Sequence, residues 1–211
     1  MRTSLLEEGL RARVPGQAAA PTVPTSVAIL ADTHGWLDDR VLAEALACDH
    51  VVHAGDVGGA SVLAALGGAH AGIVAVRGNN DTPGKWRAED HARLTELPLV
   101  ARLDLPGGPL VVVHGDRAGP ASGRHGRLRR DYPEARLVVY GHSHRWVIDR
   151  DADPWVVNPG AAGRTRTFGG PSYVRLVASR LTWDVELRRF APAEPRRASP
   201  QAAPLDYSTK R

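Results

Sequence analysis

Residues 26–34 read Ser-Val-Ala-Ile-Leu-Ala-Asp-Thr-His. The run Ser26 to Ala31 is short and apolar, as a buried strand should be. Asp32-Thr33-His34-Gly35 ends it abruptly with polar residues and a turn former. The same order recurs along the chain. Val51-Val52-His53 runs into Gly55-Asp56, and Ile73 to Val76 runs into Gly78-Asn79-Asn80-Asp81. Leu110 to Val113 runs into His114-Gly115, and Leu137 to Tyr140 into Gly141-His142-Ser143-His144.

The intervening stretches set the fold class. Leu37 to Ala47 carries Leu37, Val41, Leu42, Ala45 and Leu46 at helical spacing, which predicts one apolar face. A short helix follows at Ala60 to Leu66. Strand–helix–strand–helix–strand is the pattern of an α/β unit with parallel strands. The second half is richer in strands. Leu99 to Leu105 and Leu110 to Val113 flank Pro-Gly-Gly-Pro and predict a hairpin. An Arg-rich helix is expected at Arg124 to Arg130. Strands are expected at Leu137–Tyr140, Trp146–Ile148, Trp155–Val157, Tyr173–Val177 and Leu181–Leu187, with a short turn at Ala178–Arg180.

In open α/β sheets, ligands bind beyond the carboxyl ends of strands. Here those ends deliver Asp32, His34, Asp56, Asn79, His114, His142 and His144. Oxygen and imidazole donors suit borderline divalent ions such as Mn²⁺, Fe²⁺, Co²⁺, Ni²⁺ or Zn²⁺. The lack of thiolates argues against a structural zinc site. Asp-x-His and His-x-His leave one residue between donors, so on an extended strand end both point to one side. Gly35, Gly55, Gly78, Gly115 and Gly141 suit tight turns close to an ion.

The chain has 211 residues, 43% of them hydrophobic, which is enough for one domain with a real core. We expect that domain over 26–190. Residues 1–25, where Leu5–Leu10 could form a turn of helix, and the Pro/Ala-rich stretch 191–211 read as poorly ordered arms. The formal charge is +4, and much of the excess lies in those arms, so the basic balance gives little support for a nucleic-acid partner. Lysine occurs only at 85 and 210, which reads as compositional bias. The single cysteine, Cys48, reads as a buried structural thiol. No apolar run reaches the roughly 18–20 residues of a membrane span, and Glu7 and Glu8 sit where a signal peptide would be apolar. These features predict a cytoplasmic protein without a membrane partner.

The ordered set Asp32-x-His34, Gly55-Asp56, Gly78-Asn79, His114-Gly115 and Gly141-His142-Ser143-His144 resembles the calcineurin-like metallophosphoesterase superfamily. Asn158-Pro159-Gly160 narrows the resemblance to the bacterial and archaeal phosphodiesterases of the YfcE type, related to the retromer subunit Vps29. The resemblance runs over about 26–187. It implies a four-layer α/β/β/α sandwich with two mixed β-sheets and two divalent metal ions, Mn²⁺ foremost. One ion would be held by Asp32, His34, Asp56 and His144, the other by Asp56, Asn79, His114 and His142. Asp56 would bridge, and a bridging hydroxide would attack phosphorus in a small phosphodiester or nucleotide. A phosphomonoesterase or nucleotide hydrolase on the same site is the first alternative. A non-catalytic binding module like Vps29 is the second, but it requires a degraded site, whereas Asp56 and Asn79 are both metal-competent.

Three positions depart from the pattern. Many superfamily members have His at position 80, thought to help protonate the leaving group, and the subfamily often has Cys. Asn80 can donate a hydrogen bond but supplies no proton at neutral pH. It is the catalytic candidate together with Asp81. Asp116 stands where another His is frequent, and Ala161 where Ser often follows Asn-Pro-Gly. Arg117, Arg164 and Arg166 are candidates for substrate oxygens. Arg117, Arg124, Arg127, Arg129 and Arg130 form either a solvated face or a receiver for phosphate. His53 reads as a packed strand histidine and Trp36 as core or rim packing. His50, His70, His91 and His125 carry no pattern and read as surface. The oligomeric state is open.

Overall fold

The computed structural model describes residues 23–67 and 72–192. The expected terminal arms, apart from residues 23–25 and 191–192, and His70 lie outside the described residues.

Two five-stranded mixed sheets face each other. The first holds β1 (Thr25–Leu30), β2 (His50–His53), β3 (Ile73–Ala75), β9 (Ser172–Ala178) and β10 (Trp183–Arg189), in the order β10-β9-β1-β2-β3. The second holds β4 (Val100–Leu105), β5 (Gly108–Val113), β6 (Leu137–Val139), β7 (Val147–Asp149) and β8 (Trp155–Asn158), in the order β4-β5-β6-β8-β7. Each sheet has three adjacent parallel strands: β5-β6-β8 lie between antiparallel β4 and β7, whereas β1-β2-β3 run out to one edge, with β9 antiparallel to β1 and β10 antiparallel to β9 on the other side.

Alternation along β1 shows why the layers form. Val27 and Ile29 enter the core between the sheets, where they join Val112, Val139, Val157 and Leu176. Ala28 and Leu30 face the other way, towards α1 (Asp39–Ala45), α2 (Ala60–Gly67) and α3 (His91–Thr95). On the far side of the second sheet, Val111, Val138 and Val156 pack against Leu128 of α4 (Arg124–Asp131). Successive strand residues point to opposite faces, so a strand that is apolar throughout must be covered twice. The result is the expected α/β/β/α sandwich.

Element boundaries moved where capping or turn chemistry overrode periodicity. α1 starts after Asp38, whose carboxylate accepts the Arg40 backbone N–H at 3.0 Å; this N-cap leaves Leu37 outside. The last hairpin turns over Ser179–Thr182 rather than Ala178–Arg180. Ser179 Oγ accepts the Thr182 N–H at 2.9 Å, and Leu181 is thereby left 88% exposed in the turn. β7 is displaced by one residue, leaving Trp146 outside it. The 3₁₀ turn Ala88–Asp90 and α3 were not foreseen, because α3 buries only Leu94 and so shows no period.

Candidate metal centre

The carboxyl ends of the parallel strands of both sheets lie at one edge of the sandwich, and the donors leave from there. Asp32, His34, Asp56, His142 and His144 all have positive φ, between 49° and 67°. They are five of the seven non-glycine residues in that region among the described residues. Such a conformation costs an L-residue roughly 1–2 kcal/mol and persists where the surroundings enforce it, typically at functional sites. Gly78 lets two loops meet: a Cβ there would lie 2.2 Å from both the backbone nitrogen and Oδ1 of Asp56.

The donors form two adjoining groups. In the first, atoms of Asp32, His34, Asp56 and His144 all lie within 4.8 Å of one another. His34 Nε2 is 3.1 Å from His144 Nε2 and 3.7 Å from Asp56 Oδ2, and His144 Nε2 is 3.6 Å from Asp32 Oδ1. In the second group, Asn79 Oδ1 lies 3.0 Å from His114 Nε2 and 2.9 Å from His142 Nδ1. His114 Nε2 is 3.4 Å from Asp56 Oδ1. Atoms held about 2.0–2.2 Å from one ion lie roughly 3.0–3.5 Å apart at tetrahedral or octahedral angles. The observed spacings match that or slightly exceed it. Asp56 turns one carboxylate oxygen to each group.

Backbone carbonyls orient two of the rings. His114 Nδ1 lies 2.8 Å from the Ala54 carbonyl, and His144 Nδ1 lies 2.9 Å from that of Thr165. A proton on each Nδ1 leaves Nε2 free to ligate, as outer partners of metal-bound histidines do. The Asp32 carboxylate is buried, and its Oδ2 has no hydrogen-bond partner. An orphaned anionic oxygen is costly unless it meets a cation. This atom and the all-oxygen-and-imidazole donor set fit a divalent ion.

Electrostatics divide the donors. Burial raises the Asp32 carboxyl to about 7. Burial also works against ionisation of Asp56, but hydrogen bonds and charge from His114, with hydrogen bonds from Asn80, outweigh it and hold that carboxyl well below its ordinary range. Burial depresses His34 and His142, and takes His144 down to about 4, so these rings are neutral near pH 7. His114 goes the other way: burial disfavours its charge, yet Asp56 lifts it to about 9. A metal must displace that proton to bind there.

The residues around the cluster divide by role. Asn80 donates to Asp56 from its backbone N–H at 2.8 Å and from Nδ2 at 2.7 Å, and its Oδ1 accepts from Lys85, which sequence reasoning passed over. Asp81, the other catalytic candidate, lies among the loop backbones. Its carboxylate is filled by the backbone N–H groups of Val57, Gly58 and Gly78 and by Trp86 Nε1, at 2.8–3.1 Å; it positions the two loops. Thr33 Oγ1 donates to the Val57 carbonyl, so the buried His53 donates to Thr33 from Nε2, at 2.9 Å. Asn158 Nδ2 donates to the Gly141 carbonyl at 2.7 Å and to Ser143 Oγ at 3.1 Å, clamping the His-x-His loop.

The arginines separate as well. Arg127 donates to the carbonyls of Ala118, Pro120 and Ser122, and Arg129 to the Pro154 carbonyl and Asp149. Carbonyls and Asp149 occupy these two guanidinium groups, so they do not form the phosphate receiver considered from sequence. His125 is no isolated surface residue either: Nδ1 lies 2.5 Å from Asp149 Oδ2 and Nε2 lies 3.1 Å from the Tyr140 hydroxyl. Arg117 lines a cleft of about 190 Å³ beside His114 and Asp116. Arg166 Nη2 is 2.9 Å from His144 Nε2, and Arg164 lies over the Trp36 ring at 5.3 Å.

The profile of the Calcineurin-like phosphoesterase superfamily domain matches residues 26–180, and the chain belongs to this superfamily. Comparison with the curated proteins gives no match. Among solved structures, Vps29 from Cryptosporidium parvum has a TM-score of 0.61 at 16% identity, covering 80% of this chain and 99% of its own. A conserved protein of Streptococcus pneumoniae TIGR4, described as a predicted phosphoesterase, gives 0.58 at 20% identity over 83% and 96%. A novel archaeal phosphodiesterase gives 0.57 at 21% identity over 77% and 99%. At these identities the likeness is one of fold. No helix among the described residues is long and apolar enough to cross a membrane.

Proposed function

We propose that the chain is a phosphodiesterase dependent on two divalent metal ions, Mn²⁺ foremost, acting on a small phosphodiester. The observation that carries this reading is Asp56, whose two carboxylate oxygens face two separate donor groups. Asp32, His34 and His144 complete one group, and Asn79, His114 and His142 the other. A pair of divalent ions, when bound, supplies Lewis-acid polarisation of a phosphoryl group and a lowered pKa for water.

The chain's own residues do the rest. Asp56 and Asp32 contribute negative charge to hold the ions. Asn80 fixes Asp56 with two donors and has no proton to give a leaving group. Arg166, at the edge beside His144, and Arg117, in the cleft beside His114, offer cationic donors to phosphate oxygens. Since a general acid is typically worth about 10²–10⁴-fold, substrates with good leaving groups are favoured. Alkyl monoesters, which need an acid most, are disfavoured.

Hydrolysis of bis-p-nitrophenyl phosphate and p-nitrophenyl phosphate should be compared with Mn²⁺ and with EDTA. Metal-dependent turnover that prefers the diester is expected. Preference for the monoester would replace this reading with a phosphatase. No turnover with Mn²⁺, Fe²⁺, Ni²⁺, Co²⁺ or Zn²⁺ would favour a binding module of the Vps29 kind.

A further inference from the structure

Beside His144 lies a group of side chains that the metal cluster leaves unused. Arg145 and Trp146 follow this ligand directly. The Arg145 guanidinium sits over the Phe168 ring at 4.1 Å, and the Arg164 guanidinium over the Trp36 ring at 5.3 Å. Phe168 is 47% exposed and Trp146 46%. Trp146 stands two residues beyond His144, and Phe168 packs on Arg145, one residue beyond it, so both exposed rings sit beside the cluster.

The loop carrying Arg164, Arg166 and Phe168 is fastened to the metal cluster. The Thr165 carbonyl is bound to His144 Nδ1 and Arg166 reaches His144 Nε2, both at 2.9 Å. Arg166 and Phe168 have positive φ, 54° and 45°. Strain of this kind persists where surrounding structure holds it. None of Arg145, Arg164 and Arg166 pairs with a carboxylate among the described residues. Cations without a carboxylate partner, stacked on partly exposed aromatic rings, are what a single-stranded nucleic acid meets: arginine for the phosphates and rings for the bases. A protein partner of ordinary acidic character would use the charge but would not need the rings.

We propose that Trp36, Arg145, Trp146, Arg164 and Phe168 form a stacking platform for the bases of a short single-stranded oligonucleotide, beside the centre that takes its phosphodiester. The substrate class is therefore nucleotidyl. This inference rests on the phosphodiesterase reading for what happens to the strand, but not for its binding.

The test is fluorescence anisotropy of the full-length protein in EDTA, where hydrolysis is off. The probes are a fluorescein-labelled deoxyadenosine hexamer and a base-free deoxyribose-phosphate hexamer of equal charge. The base-bearing strand should bind roughly tenfold tighter or more. Phe168→Ala and Trp146→Ala should each weaken it severalfold and leave the base-free strand unchanged. Phe168→Tyr, which keeps a stacking ring, should retain binding and guards against misfolding of the alanine variant. Equal affinity for both strands, or no binding of either, overturns the proposal. So do aromatic-to-alanine variants that bind the base-bearing strand as well as the parent. Because the readout is binding without metal, a failed platform and a failed hydrolytic reading give different results.

Discussion

The side-chain amide of Asn80 donates to Oδ2 of Asp56 at 2.7 Å, and its backbone N–H donates to Oδ1 of the same carboxylate at 2.8 Å. The residue that lacks a transferable proton therefore orients the carboxylate shared by both donor groups. Losing an outer partner of a ligand typically costs about 10–100-fold in metal affinity or activity. Asn80→Ala is expected to weaken Mn²⁺ binding by that order, measured by calorimetric titration, with an unchanged circular dichroism spectrum. Unaltered affinity would remove Asn80 from the positioning role.

Asp56→Asn keeps the size of the side chain but removes the charge that faces both groups. Hydrolysis of the diester should fall by orders of magnitude while the fold persists, since the proposed two-ion arrangement depends on this one anion. Turnover near the parent level would contradict the shared role of Asp56.

The pH dependence of stability has a definite sign without metal. His114 is raised from its ordinary 6.5 to about 9. Its contribution is complete below 6.5 and is lost as pH climbs through 9. Asp32, raised from 3.8 to about 7, costs stability progressively as pH rises between those values, and the cost is complete above 7. His144, lowered to about 4, adds stability between about 4 and 6.5 and none above. The interval from 7 to 9 therefore belongs mainly to His114, and the Tm of EDTA-treated protein should fall across it. A metal needs both His114 and Asp32 without their protons, so the rise in Tm on adding Mn²⁺ should grow over the same interval. Thermal melts at three pH values check both; a flat or rising metal-free profile would refute the assignment.

Asp149 accepts from Arg129 Nη2 at 2.5 Å and lies 2.5 Å from His125 Nδ1, tying α4 to β7. Arg129→Ala removes this contact and the one to the Pro154 carbonyl. Hydrogen bonds to charged groups are worth about 1.5–3 kcal/mol, less where water screens them, so a loss of roughly 1–2 kcal/mol is expected. Chemical denaturation reads it. Diester hydrolysis should be unaffected; a large fall in kcat would return Arg129 to the substrate-binding residues.

The sequence by itself determined where the strands lie and which polar residues follow them, and its resemblance to a known superfamily implied the layers and the donor set. Each apolar strand announces itself by composition, and each donor lies within a few residues of the end of one, because the side-chain period of a strand and the break at its end are local properties. The short α3 and the turn at Ser179–Thr182 escaped, since few buried residues or a single hydroxyl bond decide them. Only the tertiary structure decided what meets across the two sheets. Asp56 and His114 are 58 positions apart in the numbering, yet Oδ1 and Nε2 come within 3.4 Å. The carbonyls of Ala54 and Thr165 that orient two rings, and the placement of Arg166 on His144 rather than with the arginines of α4, likewise have no local signature. The physical reason is that backbone carbonyls look alike in sequence and a guanidinium takes whichever acceptor folding brings near. Burial of Asp32 follows the same rule: the aspartate is legible, but only packing sets its carboxyl near 7.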